Sequence, residues 1–267
     1  MAKDRPPSFK SLLDTPHQLA DLSGPVILRH FRKRIKVDNK QDGGFDPVTA
    51  ADRGAERVIA DALAARFPDH GVVGEEYGIR QPDARYRWII DPIDGTRSFI
   101  IGTPMWGTLI GLVDGATPVL GMLDQPYTGE RFWSAERASY MRSIGGKTSR
   151  LKTRPCPRIE DAIVATTHPD LFAKGREAQS FERVKRQSRM TRFGGDCYSY
   201  GRVAAGLIDV IIEAGLKSFD VVALIPIIER AGGRVTTWDG RPATEGGNVV
   251  ASGDPALHDA VLETINR

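Results

Sequence analysis

Asp91-Pro92-Ile93-Asp94-Gly95-Thr96 is the stretch on which the reading of this chain turns. The run before it, Arg87-Trp88-Ile89-Ile90, is apolar and β-branched. It predicts a buried strand with Asp91 at its C-terminal end, where the chain leaves the sheet for a crevice. Pro92 fixes a turn and carries no N–H, and Gly95 lets the backbone approach a ligand before Thr96-Arg97-Ser98-Phe99 opens a short helix. Carboxylates at a strand end thus abut a helix start with free N–H groups. The first suit a hard divalent cation such as Mg²⁺, which takes oxygen ligands and keeps waters; the second suits an anion such as phosphate. Glu75-Glu76 upstream and Asp220, in Lys217-Ser218-Phe219-Asp220, supply further acidic oxygens. Each piece alone reads as a turn or a solvated loop end. Converging on one point, they read as metal-assisted hydrolysis.

Gly74-Glu75-Glu76, the Asp91–Thr96 stretch, and Phe219-Asp220 followed by an apolar helix and Gly232-Gly233 together resemble the inositol monophosphatase superfamily of Mg²⁺-dependent, lithium-sensitive phosphomonoesterases. The resemblance runs from about Phe45 to Ser252. It implies an α/β fold, a five-layered αβαβα sandwich. The chain would form one catalytic unit with the active site between two subdomains, approximately residues 1–145, with the metal and phosphate motifs, and 146–267, with Asp220 and the specificity residues. Glu75, Asp91 and the Ile93 carbonyl would bind one metal, and Asp91, Asp94 and Asp220 a second, with Asp91 bridging. Two or three Mg²⁺ ions and a homodimer are expected on the same ground, with Gly95 and Thr96 at the substrate phosphate.

The superfamily's upstream motif has a counterpart in Asp46-Pro47-Val48-Thr49-Ala50-Ala51-Asp52. By the resemblance, Asp52 would pair with the Thr96 hydroxyl to orient and activate the attacking water, and Glu76 would hold waters around the metal. Thr49 also has a plain structural role as cap of the alanine-rich helix running to Arg66. The approach to this motif departs from the usual short lysine-containing one. Here it is a longer glycine-bearing loop, Asn39-Lys40-Gln41-Asp42-Gly43-Gly44, which weighs against a role for Lys40 beside a third ion.

The mechanism follows from charge. A phosphate monoester dianion repels nucleophiles, and its uncatalysed hydrolysis is slow enough for enzymatic accelerations to approach about 10²¹. Two metals roughly 4 Å apart neutralise the phosphoryl oxygens, activate water and stabilise the departing alkoxide. Neither Cys156 nor Cys197 sits beside a readable base and no His-Asp nucleophile motif occurs, in agreement with direct attack by water.

Specificity must come from residues that touch the alcohol. Arg97-Ser98-Phe99-Ile100 with Pro104-Met105-Trp106-Gly107-Thr108, Leu123-Asp124-Gln125-Pro126 ahead of Gly129-Glu130-Arg131-Phe132, and Gly194-Gly195-Asp196-Cys197-Tyr198 leading to Ile211–Lys217 bear on it. They most resemble the histidinol-phosphatase branch, in which histidinol phosphate is cleaved in histidine biosynthesis. That alcohol carries an ammonium and an imidazole, so its pocket should offer carboxylates away from the metals. Asp196 and Glu213 are the candidates, each contact being worth roughly 1.5–3 kcal/mol in a shielded site. Asp196 also reads as a cap for the helix after it. Glu213, inside the apolar run Ile208–Ala214, needs a partner in any case. The alternatives are inositol-1-phosphate, a 3′-phosphoadenosine nucleotide or another small phosphate monoester, and a regulatory binding protein of the same fold, because the superfamily has members that bind the transcription machinery. The complete acidic set argues against lost catalysis.

Composition agrees. The 267 residues lack a serine- or proline-rich linker, and 40% hydrophobic with 27% charged content is ordinary for a soluble globular protein. A net charge of +3 favours an anionic substrate but falls short of a nucleic-acid signature. The basic runs Arg29–Lys36 and Arg183–Arg192 read as solvated faces. Two distant cysteines, no apolar core in Met1–Lys10 and no run of transmembrane length predict a cytoplasmic enzyme with no membrane partner. The histidines, His30, His70 and His168 among them, lack metal-ligand spacing.

Periodicity predicts helices over 9–33 and 49–66, strands near 72–74 and 87–91, and a meander over 106–113, 117–125 and 131–133. Beyond about residue 145 it predicts strands near 162–166, 191, 208–213, 233–237 and 248–251. The helices there fall near 175–185, 196–206 and 221–231, the last with an awkward Pro226, and Asp254-Pro255 starts a terminal one.

Overall fold

The central strands of the first sheet are buried nearly throughout, so both of its faces are covered by helices. In the computed structural model, which describes residues 9–40 and 47–267, the elements begin with α1 (Phe9–Leu28), β1 (Asp38–Asn39), β2 (Pro47–Val48), α2 (Ala50–Arg66), β3 (Gly71–Gly74) and β4 (Gly78–Arg80). Next come β5 (Tyr86–Asp94), α3 (Thr96–Ile100), β6 (Gly107–Asp114), β7 (Thr117–Gln125), β8 (Glu130–Ser134), β9 (Ser139–Arg142) and β10 (Thr148–Arg150). The second half holds β11 (Ile163–Thr166), α4 (Arg176–Gln187), β12 (Met190–Phe193), α5 (Asp196–Ala204) and β13 (Val210–Leu216). It ends with α6 (Ser218–Val221), α7 (Leu224–Glu229), β14 (Arg234–Thr237), β15 (Gly247–Ser252) and α8 (Pro255–Ile265). Asp46 and the glycines of the loop after Lys40 lie outside the described residues.

The first sheet has eight strands in the order β10-β9-β8-β7-β6-β5-β3-β4, antiparallel except for β3 with β5. The second has five, β12-β11-β13-β15-β14, with β11 parallel to both its neighbours. On the first sheet Trp88, Ile90, Ile110, Leu112, Leu120 and Met122 pack with Leu12, Leu19, Ile59 and Leu63 of α1 and α2. Leu109 and Leu123, one residue out of phase with that set, face the opposite way and pack with α5, α6 and α7. Those helices also touch β13, β14 and β15, and α8 with α4 covers the far face of the second sheet. Five layers result, αβαβα. Each fully buried apolar side chain, Trp88 or Ile90 for instance, contributes about 1.5–3 kcal/mol.

Three outcomes differ from the sequence reading. The helix expected over 221–231 is two pieces, α6 and α7. Pro226 has no N–H for the Val222 carbonyl, and the break at 222–223 presses onto the sheet where Gly111 and Gly121 face each other across β6 and β7. A Cβ on Gly121 would stand 1.8 Å from the Ala223 carbonyl oxygen, so only glycine admits this approach. The first helix stops at Leu28 rather than 33, and Arg32 turns the chain in a left-handed conformation (φ 58°). Finally, β1, β2, β4, β9 and β10 were not anticipated. They have two to four residues each, too few to show a period. Among the described residues no helix is long and apolar enough to cross a membrane.

Candidate active site

The strand expected to end at Asp91 runs on to Asp94 through a β-bulge. Asp91 pairs with Leu109 and Asp94 with Gly107, so β5 spends three steps where β6 spends two. In a regular strand, residues three apart face opposite sides; one extra residue puts both on the same side. Ile93 accordingly turns toward Ile27, Ala51 and Ala55 on the α1–α2 side, while Asp94 turns to the middle helices, its Oδ2 accepting the Cys197 N–H at 2.7 Å. Thr108 secures the bulge by donating its hydroxyl to the Pro92 carbonyl at 2.9 Å. Gly95 follows at φ 85°, and a Cβ there would lie 2.9 Å from the Met105 carbonyl oxygen and 3.0 Å from the Asp196 side chain.

Asp220, at the third position of α6, arrives from the facing layer. One carboxylate oxygen from each of Asp91, Asp94 and Asp220 falls within 4.8 Å of the other two. Backbone amides aim all three carboxylates: Ile93 N–H donates to Asp91 at 2.9 Å, Cys197 N–H to Asp94, and Lys217 N–H to Asp220 at 2.6 Å. Burial pushes Asp91 well above the usual carboxylate range, and the charges of Glu75, Asp94 and Asp220 add to it. Asp94 is pushed up in the same way by burial and then by Asp196 and Asp220. Burial, with Glu75 and Glu213 adding, raises Asp220 to about 7 despite the Lys217 amide. Crowded like charges, all on oxygen donors, fit a divalent cation.

Glu75 and Glu76 sit on the β3–β4 turn. Glu75 acts on Asp91 and Asp220. Glu76 is raised to about 7 by burial, against the opposing pull of Lys40. The Lys40 ammonium in fact bridges the pair, 2.8 Å from Glu75 Oε1 and 2.5 Å from Glu76 Oε1. The loop's extra length therefore does not keep Lys40 away from the acidic pair.

A correction concerns Asp52 and Thr96, which do not pair. Thr96 Oγ1 donates to the Ile93 carbonyl at 3.1 Å, the very carbonyl expected to meet a metal. Asp52 spends Oδ2 on the Thr49 N–H and hydroxyl at 2.7 and 2.6 Å, completing the cap of α2, and Thr49 Oγ1 accepts the Ala51 N–H. The other oxygen, Oδ1, is buried without a partner. That orphan acceptor lies within the field of Glu75 and Glu76.

A cavity of about 280 Å³ joins the two halves of the chain, and Asp94, Gly95, Thr96, Asp196, Glu213 and Asp220 all line it. Asp196 is not the helix cap. Gly195 holds that position, and Asp196 opens α5 in a left-handed conformation (φ 41°), its Oδ2 accepting the Ser98 hydroxyl at 2.6 Å. Glu213 has the partners its burial demands. Thr167 donates its N–H and hydroxyl to Oε1 at 2.9 and 2.5 Å, and the Tyr200 hydroxyl donates to Oε2 at 3.2 Å. Burial raises both carboxylates above their ordinary range. Arg97 lines the cavity too, as do Thr167 and Tyr200, which carried no motif of their own in the sequence.

A carboxylate cluster between the sheets of an αβαβα sandwich defines the chain as a phosphatase by fold and site together. It belongs to the inositol monophosphatase family, whose model matches residues 10–267. The chain is 40% identical to the chloroplastic bifunctional phosphatase IMPL2 of Arabidopsis thaliana, over 92% of this chain and 72% of that one. It is 33% identical to the histidinol-phosphatase of Streptomyces coelicolor, over 98% of this chain and 99% of the other. Among solved structures, an inositol monophosphatase from Zymomonas mobilis aligns with a TM-score of 0.86 at 38% identity, covering 98% and 100% of the two chains.

Proposed function

We propose that the chain hydrolyses histidinol phosphate to histidinol and phosphate with Mg²⁺. The observation that carries this reading is the division of carboxylates in one cavity: Asp94 and Asp220 belong to the metal cluster, whereas Asp196 and Glu213 line the rest. Glu75, Asp91, the Ile93 carbonyl, Asp94 and Asp220 would hold the ions. Bound there, Mg²⁺ supplies positive charge to the phosphoryl and leaving oxygens and makes water acidic enough to attack. Gly95 and Thr96 receive the phosphate, Asp52 Oδ1 accepts a proton from the attacking water, and Glu76 holds neighbouring waters in place. Asp196 and Glu213, costly to ionise where they stand, are stabilised as carboxylates by a cationic alcohol. The relative in Streptomyces coelicolor, named a histidinol-phosphatase, supports the same substrate.

Inositol-1-phosphate is the second reading, favoured by the likeness to the Zymomonas mobilis inositol monophosphatase. The deciding experiment compares phosphate release from the two esters at matched concentration with Mg²⁺ and with EDTA. Chelator-sensitive preference for histidinol phosphate supports the proposal; preference for inositol phosphate overturns the specificity and leaves the metal chemistry; release from neither points to a binding role.

Glu213→Gln and Asp196→Asn sharpen the test. Each removes one charge of roughly 1.5–3 kcal/mol toward an ammonium, so kcat/KM for histidinol phosphate should fall about 10- to 100-fold. The loss on inositol-1-phosphate should stay within about threefold. Equal losses on both esters would remove the ammonium-recognition idea.

A further inference from the structure

Glu56 lies on α2, one helical turn after Asp52, and is 1% exposed. Both of its oxygens are spent on the turn between β3 and β4. Oε2 accepts the Glu76 N–H at 2.8 Å and Oε1 accepts the Tyr77 N–H at 2.9 Å. Gly74, at the end of β3, leaves the room, since a Cβ there would stand 1.9 Å from Oε1 and 2.3 Å from the carboxyl carbon. A glutamine of the same shape could not serve, because it offers one acceptor where two N–H groups arrive.

Burying this carboxylate is expensive, and the nearby charge of Glu75 makes it more so. The two amides belong to a turn at the edge of the sheet. What distinguishes the turn is its contents, Glu75 and Glu76, and its weak support from the sheet: β4 is three exposed residues paired, among the described residues, only with β3. We infer that Glu56 is a positioning residue for the divalent-cation site, fixing the Glu75-Glu76 turn so that Glu75 already faces Asp91 and Asp220 when the ion arrives. This rests on the metal site of the proposed function.

Two variants break the same contact from opposite sides. Glu56→Gln removes one acceptor; Gly74→Ala keeps the carboxylate but drives it off the amides. Gly74 does not have a positive φ, so its backbone tolerates alanine. Calorimetric titration of the metal-free full chain with Mg²⁺ should show affinity weakened about 10- to 100-fold in both, the effect expected when the support behind a ligand is lost. In the phosphatase assay the Mg²⁺ concentration for half-maximal rate should rise in parallel, with kcat at saturating Mg²⁺ within about threefold of wild type. A merely structural role would lower the melting temperature and leave Mg²⁺ affinity unchanged, and that result overturns the inference. If Glu56→Gln fails to fold, Gly74→Ala decides alone. A wild-type chain that binds no Mg²⁺ would sink both the metal reading and this role, whereas wild-type binding with unaltered variants would sink only the role of Glu56.

Discussion

Asp91→Asn is expected to cut phosphate release by at least about 10³-fold, to below detection in an ordinary assay, and at the same time to make the metal-free protein more stable. The two effects have one cause. Asp91 is 2% exposed, and burial together with Glu75, Asp94 and Asp220 opposes its ionisation. Asparagine has the same shape and can still accept the Ile93 N–H through its amide oxygen, so the bulge is kept while a buried charge is lost. Without metal near pH 8 that relief should stabilise the fold by roughly 1–3 kcal/mol, several degrees in melting temperature for a chain of this size. With Mg²⁺ present the wild type should regain the advantage, because only its full carboxylate set can be neutralised by the ion. Melting curves with and without Mg²⁺, beside the activity assay, check both halves. Retained turnover would refute the shared-metal role of Asp91, and a metal-free variant less stable than wild type would refute the account of its repulsion.

The acidic residues were legible because their chemistry is local: Glu75-Glu76 and Asp91–Thr96 are contiguous, and Asp220 follows an aromatic at a helix start. How Asp91 and Asp94 reach the same side was not legible. The bulge depends on pairing with Gly107 and on the Thr108 hydroxyl, neither adjacent in sequence. Pro226 announced an awkward helix, yet the form of the break depends on a pair of glycines a hundred residues earlier. Loop length is a poor guide to where the long, flexible ammonium of Lys40 ends. Glu56 belongs to no motif read from the sequence, although its spacing of four from Asp52 puts it on the same buried face of α2. Glu213 was readable as a carboxylate in need of partners, but Thr167 and Tyr200, which supply them, lie on other elements and carried no signal. Layer order is likewise tertiary. The continuous burial along β6 and much of β7 tells that both faces are covered, and the family resemblance, rather than periodicity, supplied the sequence of layers.

Stability of the metal-free protein and the increment that Mg²⁺ adds to it should depend on pH in opposite senses. In the metal-free protein Asp220 and Glu76 stand at about 7, far above their unfolded values near 4, with burial the principal cause in each. Between those limits the folded state binds more protons than the unfolded one, so unfolding free energy falls as pH rises. The contribution of these groups is fully present below about pH 4 and is lost as pH passes through 7, a slope worth a few kcal/mol in all. Asp91 and Asp94, raised by the same burial and mutual repulsion, act in the same direction. Mg²⁺ offsets part of this trend, since the carboxylates must shed protons to bind it. Its affinity should therefore climb by about tenfold per pH unit below 7 for each ligand that titrates there, and level off above. At a fixed Mg²⁺ concentration about 100-fold above the dissociation constant at pH 8, the gain is about 2.7 kcal/mol, and by pH 5.5 most of it should be gone. The measurement is a grid of melting temperatures from pH 5.5 to 8.5, with EDTA and with Mg²⁺, alongside Asp220→Asn. The Mg²⁺ increment should grow with pH in the wild type and be small at every pH in the variant. A large increment that ignores pH, or one that survives Asp220→Asn, would mean that Mg²⁺ binds elsewhere and that the carboxylate cluster is not the metal centre.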